Sequence, residues 1–502
     1  MGHVFKMFYS YSIAIKRIIG LFLIIAGGLG VAAGAPVIDL PLRANIVPAC
    51  ELVSGYYPWR FADIYADGNI AVQGSYNCRG VFIYDLTDPD NPVLASHYNP
   101  SPTQAFLEAT VIGNRGYFAS GGPYPSGTAD SGDGVHIVDL TNPYQPALLG
   151  KVNATNGGYN GVHEMVIQGN YLFQNYNSTS NKVLKIIDIS DPTAPVFKWN
   201  VVPFDSLWVH AVHVRGNRMY TSGWRGMIEI YDIGNLATQP PTFLGAITGD
   251  NNNHTSYTSE DGNYLYSARE TYDGDIRVYD VRDPEQPFLV KSIKTSELGL
   301  QAISPHDPVV MGDKLYVSWY QAGVQIFDIS NPVNPVHVAQ YDTFVEEYVA
   351  PSALSSVSTA EGDPWDIICG APGSNLQNVP QASFDGSWAV TPFLGVDKIL
   401  AGDMTRGLFV IDASSLFSGP EITLSGRVMT PAGGGLRNAQ VMLRGPDGIG
   451  RTVPTSSMGY YSFDEIAGAS YTVSVSSRRY RFEQRSVDLS APLSEFDFIG
   501  LE

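Results

Sequence analysis

Cysteine is scarce: Cys50, Cys78 and Cys369 are the only three in 502 residues. None are spaced as C-x-x-C, which excludes a zinc ribbon and a thioredoxin-like redox motif. In an oxidising compartment one pair can close and leave a thiol over, and the spacing does not choose the pair. Charge is sparse as well. Charged residues make up 16%, and 30 Lys plus Arg stand against 49 Asp plus Glu, a formal charge of −19. Such a chain repels a phosphate backbone, which excludes nucleic acid as a partner and leaves cations, proteins and neutral glycans. Beyond the first 35 residues there is no apolar run long enough to span a membrane, so no integral span is expected once a signal is removed. Long amphipathic helical patterns are missing, as are the G-x-S-x-G elbow, the H-E-x-x-H helix, the Walker loop and the dinucleotide fingerprint.

What is present points to export and to β-structure. Lys6, Lys16 and Arg17 precede an apolar run from Ile18, and small residues suited to cleavage follow near Ala33 to Ala35. Residues 1–35 read as a signal peptide, so the mature chain is expected to be secreted, periplasmic or on the cell surface. An uncleaved anchor is the competing reading; the absence of a Cys after the run argues against a lipoprotein anchor. The 51 Gly, 33 Pro and 29 Tyr suit turns and pleated, half-buried surface.

One unit recurs along the chain. Its copies are VFIYDLTDPDNP from Val81, VHIVDLTNPYQP from Val135, LKIIDISDPTAP from Leu184, IEIYDIGNLATQP from Ile228, IRVYDVRDPEQP from Ile276, VQIFDISNPVNP from Val324 and a degenerate LFVIDASS from Leu408. The closing Asp stands at 85, 139, 188, 232, 280, 328 and 412, with gaps of 54, 49, 44, 48, 48 and 84. Each copy predicts a buried strand whose Asp accepts backbone N–H bonds in the next turn, while the prolines end the ladder. Upstream, Gly-Asn or Gly-Asp pairs, as in VIQGNYLFQNY and HVRGNRMYTSG, predict a hairpin. A hairpin followed by two more strands is a propeller blade. The expected fold is therefore all-β: a seven-bladed β-propeller over residues 36–418, with an insertion before the last blade. That last copy lacks a clear fourth strand, and residues 45–55 are expected to supply it, closing the ring. Residues 419–502 change to short alternating strands between Gly and Pro turns, expected to form a small β-sandwich.

Two resemblances attach to these patterns. The SGRV, NAQVML, GYYSFDEI and YTVSVSS segments of the C-terminal region resemble the carboxypeptidase regulatory-like (transthyretin-like) domain, which implies an accessory sandwich without catalytic residues. The repeated V-x-I-x-D followed by DP-x-x-P resembles the LVIVD-repeat proteins, a group of exported propellers. The stretches at 251–270 and 384–412 look like the choice-of-anchor B family, in which such propellers carry variable C-terminal anchoring domains; residues 344–383 depart from that pattern.

Four histidines share one place in the repeat. His163, His210 and His306 each stand six residues before the hairpin Gly, and His254 stands eight before it. That place begins the innermost strand, so the four imidazoles are expected at one mouth of the channel. There they can ligate Zn, Cu, Ni or Fe, with Glu108, Glu164 and Asp307 adding oxygens. The competing reading makes His a consensus residue bonded to the next blade's backbone. Acidic turns at 128–134 and 270–275 are candidates for Ca²⁺. Trp208, Trp224, Trp319, Trp365 and Trp388 suit either blade packing or stacking on sugars. The leading expectation is a secreted or surface-displayed, non-enzymatic propeller that binds or scaffolds an extracellular protein or glycan. The alternative is a metal-dependent oxidoreductase or hydrolase with a histidine-lined channel site.

Overall fold

The computed structural model describes residues 37–52, 59–101, 104–121, 132–175, 183–204, 208–224, 226–249, 253–271, 273–345, 385–417, 422–445, 450–466 and 469–501. The expected signal peptide, Cys369, Trp365, the side chains of Trp208 and Trp224 and nearly all of the 344–383 insertion lie outside these residues. No α-helix occurs among the described residues; three single 3-10 turns interrupt an otherwise all-β chain.

From Phe61 to Ile411 the strands form antiparallel units in chain order that follow the copies of the repeat; the first two units join through the Ser75–Phe106 pair into one eight-stranded sheet, and the later ones are separate sheets. In the third unit, for example, Met165–Gln168, Tyr171–Gln174, Leu184–Asp188 and Val196–Val201 pair in succession. The repeat copy is the third strand of each unit, and its alternation is buried on both faces because neighbouring units pack against each side. Each closing Asp does what its turn requires. Asp85, Asp139, Asp188, Asp232, Asp280, Asp328 and Asp412 each accept a bond from the backbone N–H two residues on, at 2.8–3.1 Å. The hairpin glycines adopt left-handed φ, 57° at Gly169 and 56° at Gly216, where a side chain would be strained.

The first strand of each unit is the innermost. Phe61–Asp67 lies beside Phe106–Ile112, Trp208–Arg215 beside Asn253–Thr258, and Asn253–Thr258 beside Pro308–Met311. Ser387–Thr391 of the last unit returns to lie beside Phe61–Asp67 of the first. The inner strands thus enclose a channel in a propeller-type repeat fold.

Closure of the last unit comes from the N-terminal segment, starting three residues earlier than the expected 45–55. Leu42–Ile46 pairs antiparallel with Gly407–Ile411. The ladder stops at Ile46 because Pro48 has no N–H to offer. Just before it, Ile38–Asp39 adds a parallel fifth strand to the sixth unit, which the sequence did not suggest. The Cys50–Cys78 disulfide then ties the end of the closing strand to the first unit. Arg43 adds ion pairs to Asp90 (2.6 Å) and Asp397 (3.0 Å).

From Ile422 the chain builds two further sheets. One holds Tyr460–Ile466, Ile422–Met429 and Phe498–Ile499; the other holds Gly450–Pro454, Gln440–Arg444, Ala469–Ser476 and Arg485–Leu489. Ile422, Leu424, Val441, Leu443, Phe463, Val473 and Phe498 fill the core of this sandwich.

These contacts make the ring depend on its N-terminus. Removing residues 37–46 is expected to lower the melting temperature of the whole propeller. Reducing the disulfide, which spans 28 residues, is expected to cost about 3–4 kcal/mol. Denaturant melts of truncated, reduced and intact protein check both, and unchanged transitions would contradict the closure role.

Candidate functional site

Successive side chains on a strand point to opposite faces. At the start of the inner strands two residues oppose one on the neighbouring strand, a β-bulge that aims consecutive side chains together. The pairing skips a residue at Leu107, His210, His254 and Trp388, and skips Ala62 and Asp63 together. Backbone bonds make the same bulge in the third and sixth units: His163 N–H donates to Asn175 O while Asn175 N–H donates to Glu164 O, and His306 and Asp307 clasp Ser318 likewise. The first bulge position therefore carries Ala62, Leu107, His163, His210, His254, His306 and Trp388 around the channel. The second carries Asp63, Glu108, Glu164, Ala211, Thr255, Asp307 and Ala389.

The structure thus brings all four sequence-predicted histidines together, as a row. Ring centroids are 4.7 Å apart from His163 to His210, 4.0 Å from His210 to His254 and 4.1 Å from His254 to His306. Trp388 continues the row, 4.1 Å from His306. Ligand atoms fall into two sets, His163 with Glu164 and His210, and His254 with His306 and Asp307; within each set they lie inside 4.8 Å. His163 Nε2 and His210 Nε2 are 3.0 Å apart. His306 Nδ1 is 3.2 Å from Asp307 Oδ2, and this imidazole, only 1% exposed, is also hydrogen-bonded to the Trp388 backbone.

The competing hydrogen-bonding role is met by three of the four: His210 is bonded to the backbone of His254, His254 to that of His306, with its Nδ1 3.2 Å from His306 O, and His306 to that of Trp388. His254 Nε2 faces Glu270 Oε2 at 3.5 Å. Glu270 in turn accepts a hydrogen bond from the buried Tyr320 hydroxyl. Tyr320 holds a left-handed φ of 36°, and its carbonyl accepts bonds from Gly323 and Ser387 N–H, so its own turn and the last unit pin it.

Burial sets the protonation. It pushes His163 down to about 4 and His210 and His254 well below the ordinary value, so these imidazoles are neutral, the form that binds metal. Burial lowers His306 too, but the Asp307 and Glu270 carboxylates outweigh it and hold that imidazole above its usual value. The acids go the other way. Burial, then the Asp307 charge, raise Asp63 to about 8; burial, then Asp63 and Glu164, raise Glu108 well above the carboxylate range. Glu164 is raised by burial and by Asp307. Asp63 and Glu108 are hydrogen-bonded to each other, a contact between two acids that requires a shared proton. No Lys or Arg pairs with Asp63, Glu108, Glu164 or Asp307 among the described residues.

Sequence reasoning named Glu108, Glu164 and Asp307 but missed Asp63. The signal was present: Asp63, Glu108, Glu164 and Asp307 all stand five residues before a hairpin Gly, at 68, 113, 169 and 312. Glu270 was placed in an acidic turn rather than in the channel. The other acids of those turns are spoken for. Asp133 pairs with Lys151 and, at 3.1 Å, His136; Asp275 pairs with Arg269 (2.8 Å) and Arg277 (3.2 Å). Residues 128–131 lie outside the described residues. Trp319 is fully buried and donates to Thr295 Oγ1, a packing role.

Asp63 offers a test by pH. Its folded value near 8 lies above the ordinary 3.8, so the folded chain keeps a proton that the unfolded chain releases. The stability this proton contributes is present in full below 3.8 and lost as pH rises to about 8. Asn resembles the protonated acid, so the metal-free wild type is expected to lose stability relative to D63N across that window. Thermal melts in chelator at several pH values check this, and a pH-independent difference would contradict it.

Comparison with known proteins follows the same division. The LVIVD repeat matches residues 128–154, 162–202 and 306–343. The carboxypeptidase regulatory-like domain matches residues 423–495. These matches do not bear on the choice-of-anchor B resemblance. No curated protein matches the sequence. Among solved structures, the computationally designed Ika8 protein is 11% identical, with TM-score 0.43 over 74% of this chain and 100% of its own. BamB from Moraxella catarrhalis is 9% identical, with TM-score 0.39 over 70% of this chain and 82% of its own. The chain is a propeller-type protein of LVIVD repeats that carries a C-terminal carboxypeptidase regulatory-like domain.

Proposed function

We propose that this chain is an exported propeller that binds divalent transition metal in its channel, through the histidines at the first bulge position. The observation that carries the reading is the donor chemistry: two imidazoles and one carboxylate in each set. Three protein ligands with a position left open is the arrangement of catalytic rather than structural zinc sites, and imidazole with carboxylate also suits Fe, Cu, Ni and Mn. Two imidazole nitrogens held about 2.0–2.1 Å from one tetrahedral ion stand about 3.3 Å apart. The 3.0 Å between His163 Nε2 and His210 Nε2 suits such a pair. The buried carboxylates without a Lys or Arg partner among the described residues are accounted for in the same way, since a buried charge otherwise carries an unmet desolvation cost.

This reading favours metal-dependent chemistry over an inert scaffold. A propeller built of LVIVD repeats suits binding in general. Export is supported by the signal-like N-terminus and by a disulfide that needs an oxidising compartment. In that setting the C-terminal sandwich serves retention or stability.

Metal analysis of the purified mature protein tests the proposal. Bound Zn, Cu or Fe is expected, or uptake on titration, with loss in the H210A/H306A double variant. Protein that neither contains nor takes up metal, or a double variant that retains it in full, would overturn the reading.

A further inference from the structure

We infer that the channel holds two metal ions side by side, one between His163, Glu164 and His210 and one between His254, His306 and Asp307. The inference rests on the metal-binding reading and goes beyond it in number and placement. Ligand atoms bound to one ion at about 2.0–2.1 Å cannot lie more than about 4.2 Å apart. The four histidines do not form one group of that size. They divide without overlap into two sets, each with its own carboxylate from the second bulge position or, for His210, from the preceding unit.

The row explains the division. Imidazoles presented by successive inner strands stack along the channel wall at 4.0–4.7 Å between centroids, so the first and last cannot reach a common ion. His210 and His254 are the junction, and their rings face each other across the two sets at 4.0 Å.

The sets are not equivalent. Glu270 Oε2 lies 3.5 Å from His254 Nε2, offering the second ion a further oxygen, and Trp388 closes that end of the row over His306.

Titration of metal-free mature protein with Zn²⁺ or Co²⁺, read by calorimetry and by metal content after desalting, tests this. The wild type is expected to take two ions per chain. H163Q/H210Q and H254Q/H306Q are each expected to keep one, and the quadruple variant none. Circular dichroism melts of the metal-free variants verify folding, and E164Q and D307N, which leave the imidazoles in place, are each expected to weaken one binding step at least tenfold and spare the other. One ion in the wild type, lost in both double variants, would overturn the two-ion inference while leaving metal binding intact. No uptake by the wild type would overturn both.

Discussion

A two-against-one mismatch at the start of the inner strands governs the channel. On a regular strand His306 and Asp307 would face opposite sides, as would His163 and Glu164. The bulge lets one inner strand deliver a nitrogen and an oxygen donor to the same spot. Because the bulge recurs from unit to unit, the channel wall acquires a two-tier layout. Imidazoles occupy the first position from the third unit to the sixth, and acids occupy the second in the first, second, third and sixth. The remaining places hold residues that contribute no ligand: Ala62, Leu107 and Trp388 above, Ala211, Thr255 and Ala389 below. Donors are thereby concentrated on one arc, facing the Asp63–Glu108 pair across the channel.

Such a site needs a ring that does not breathe. Donors come from successive units, so their spacing is only as fixed as the packing between units. Closure is therefore part of the site's chemistry. Leu42–Ile46 removes the open edge of the last unit, and the Cys50–Cys78 bond ties that strand to the first unit. Tyr320 acts at shorter range. Held in a left-handed conformation by bonds from Gly323 and Ser387, it donates to Glu270, which sets the surroundings of His254. This is the kind of outer contact that orients a ligand imidazole.

Much of this was legible in the residues. The recurring Asp marked the third strand of each unit and proved to be a turn former throughout, and the hairpin Gly gave the phase from which the histidines were found. The same phase, counted to five rather than six, leads to Asp63, which went unread because its neighbour Ala62 carries no chemistry. Glu270 and Tyr320 were not legible by any count. They lie on or after second strands, and only the packing of one unit on the next brings them to His254. The closing strand was expected slightly late because Pro48 lies within the chosen segment and its missing N–H was not weighed. Cysteine pairing could not be chosen from spacing, since it reflects where the ring brings its two ends together.

The central claim is that bulge-placed imidazoles and carboxylates form a metal centre within the channel. Anomalous diffraction from crystals of metal-loaded protein, collected above and below the metal's absorption edge, tests it most directly. The account predicts one peak between His163 and His210 and another between His254 and His306, both vanishing below the edge. Peaks confined to the outer surface, or an empty channel at full metal loading, would contradict it.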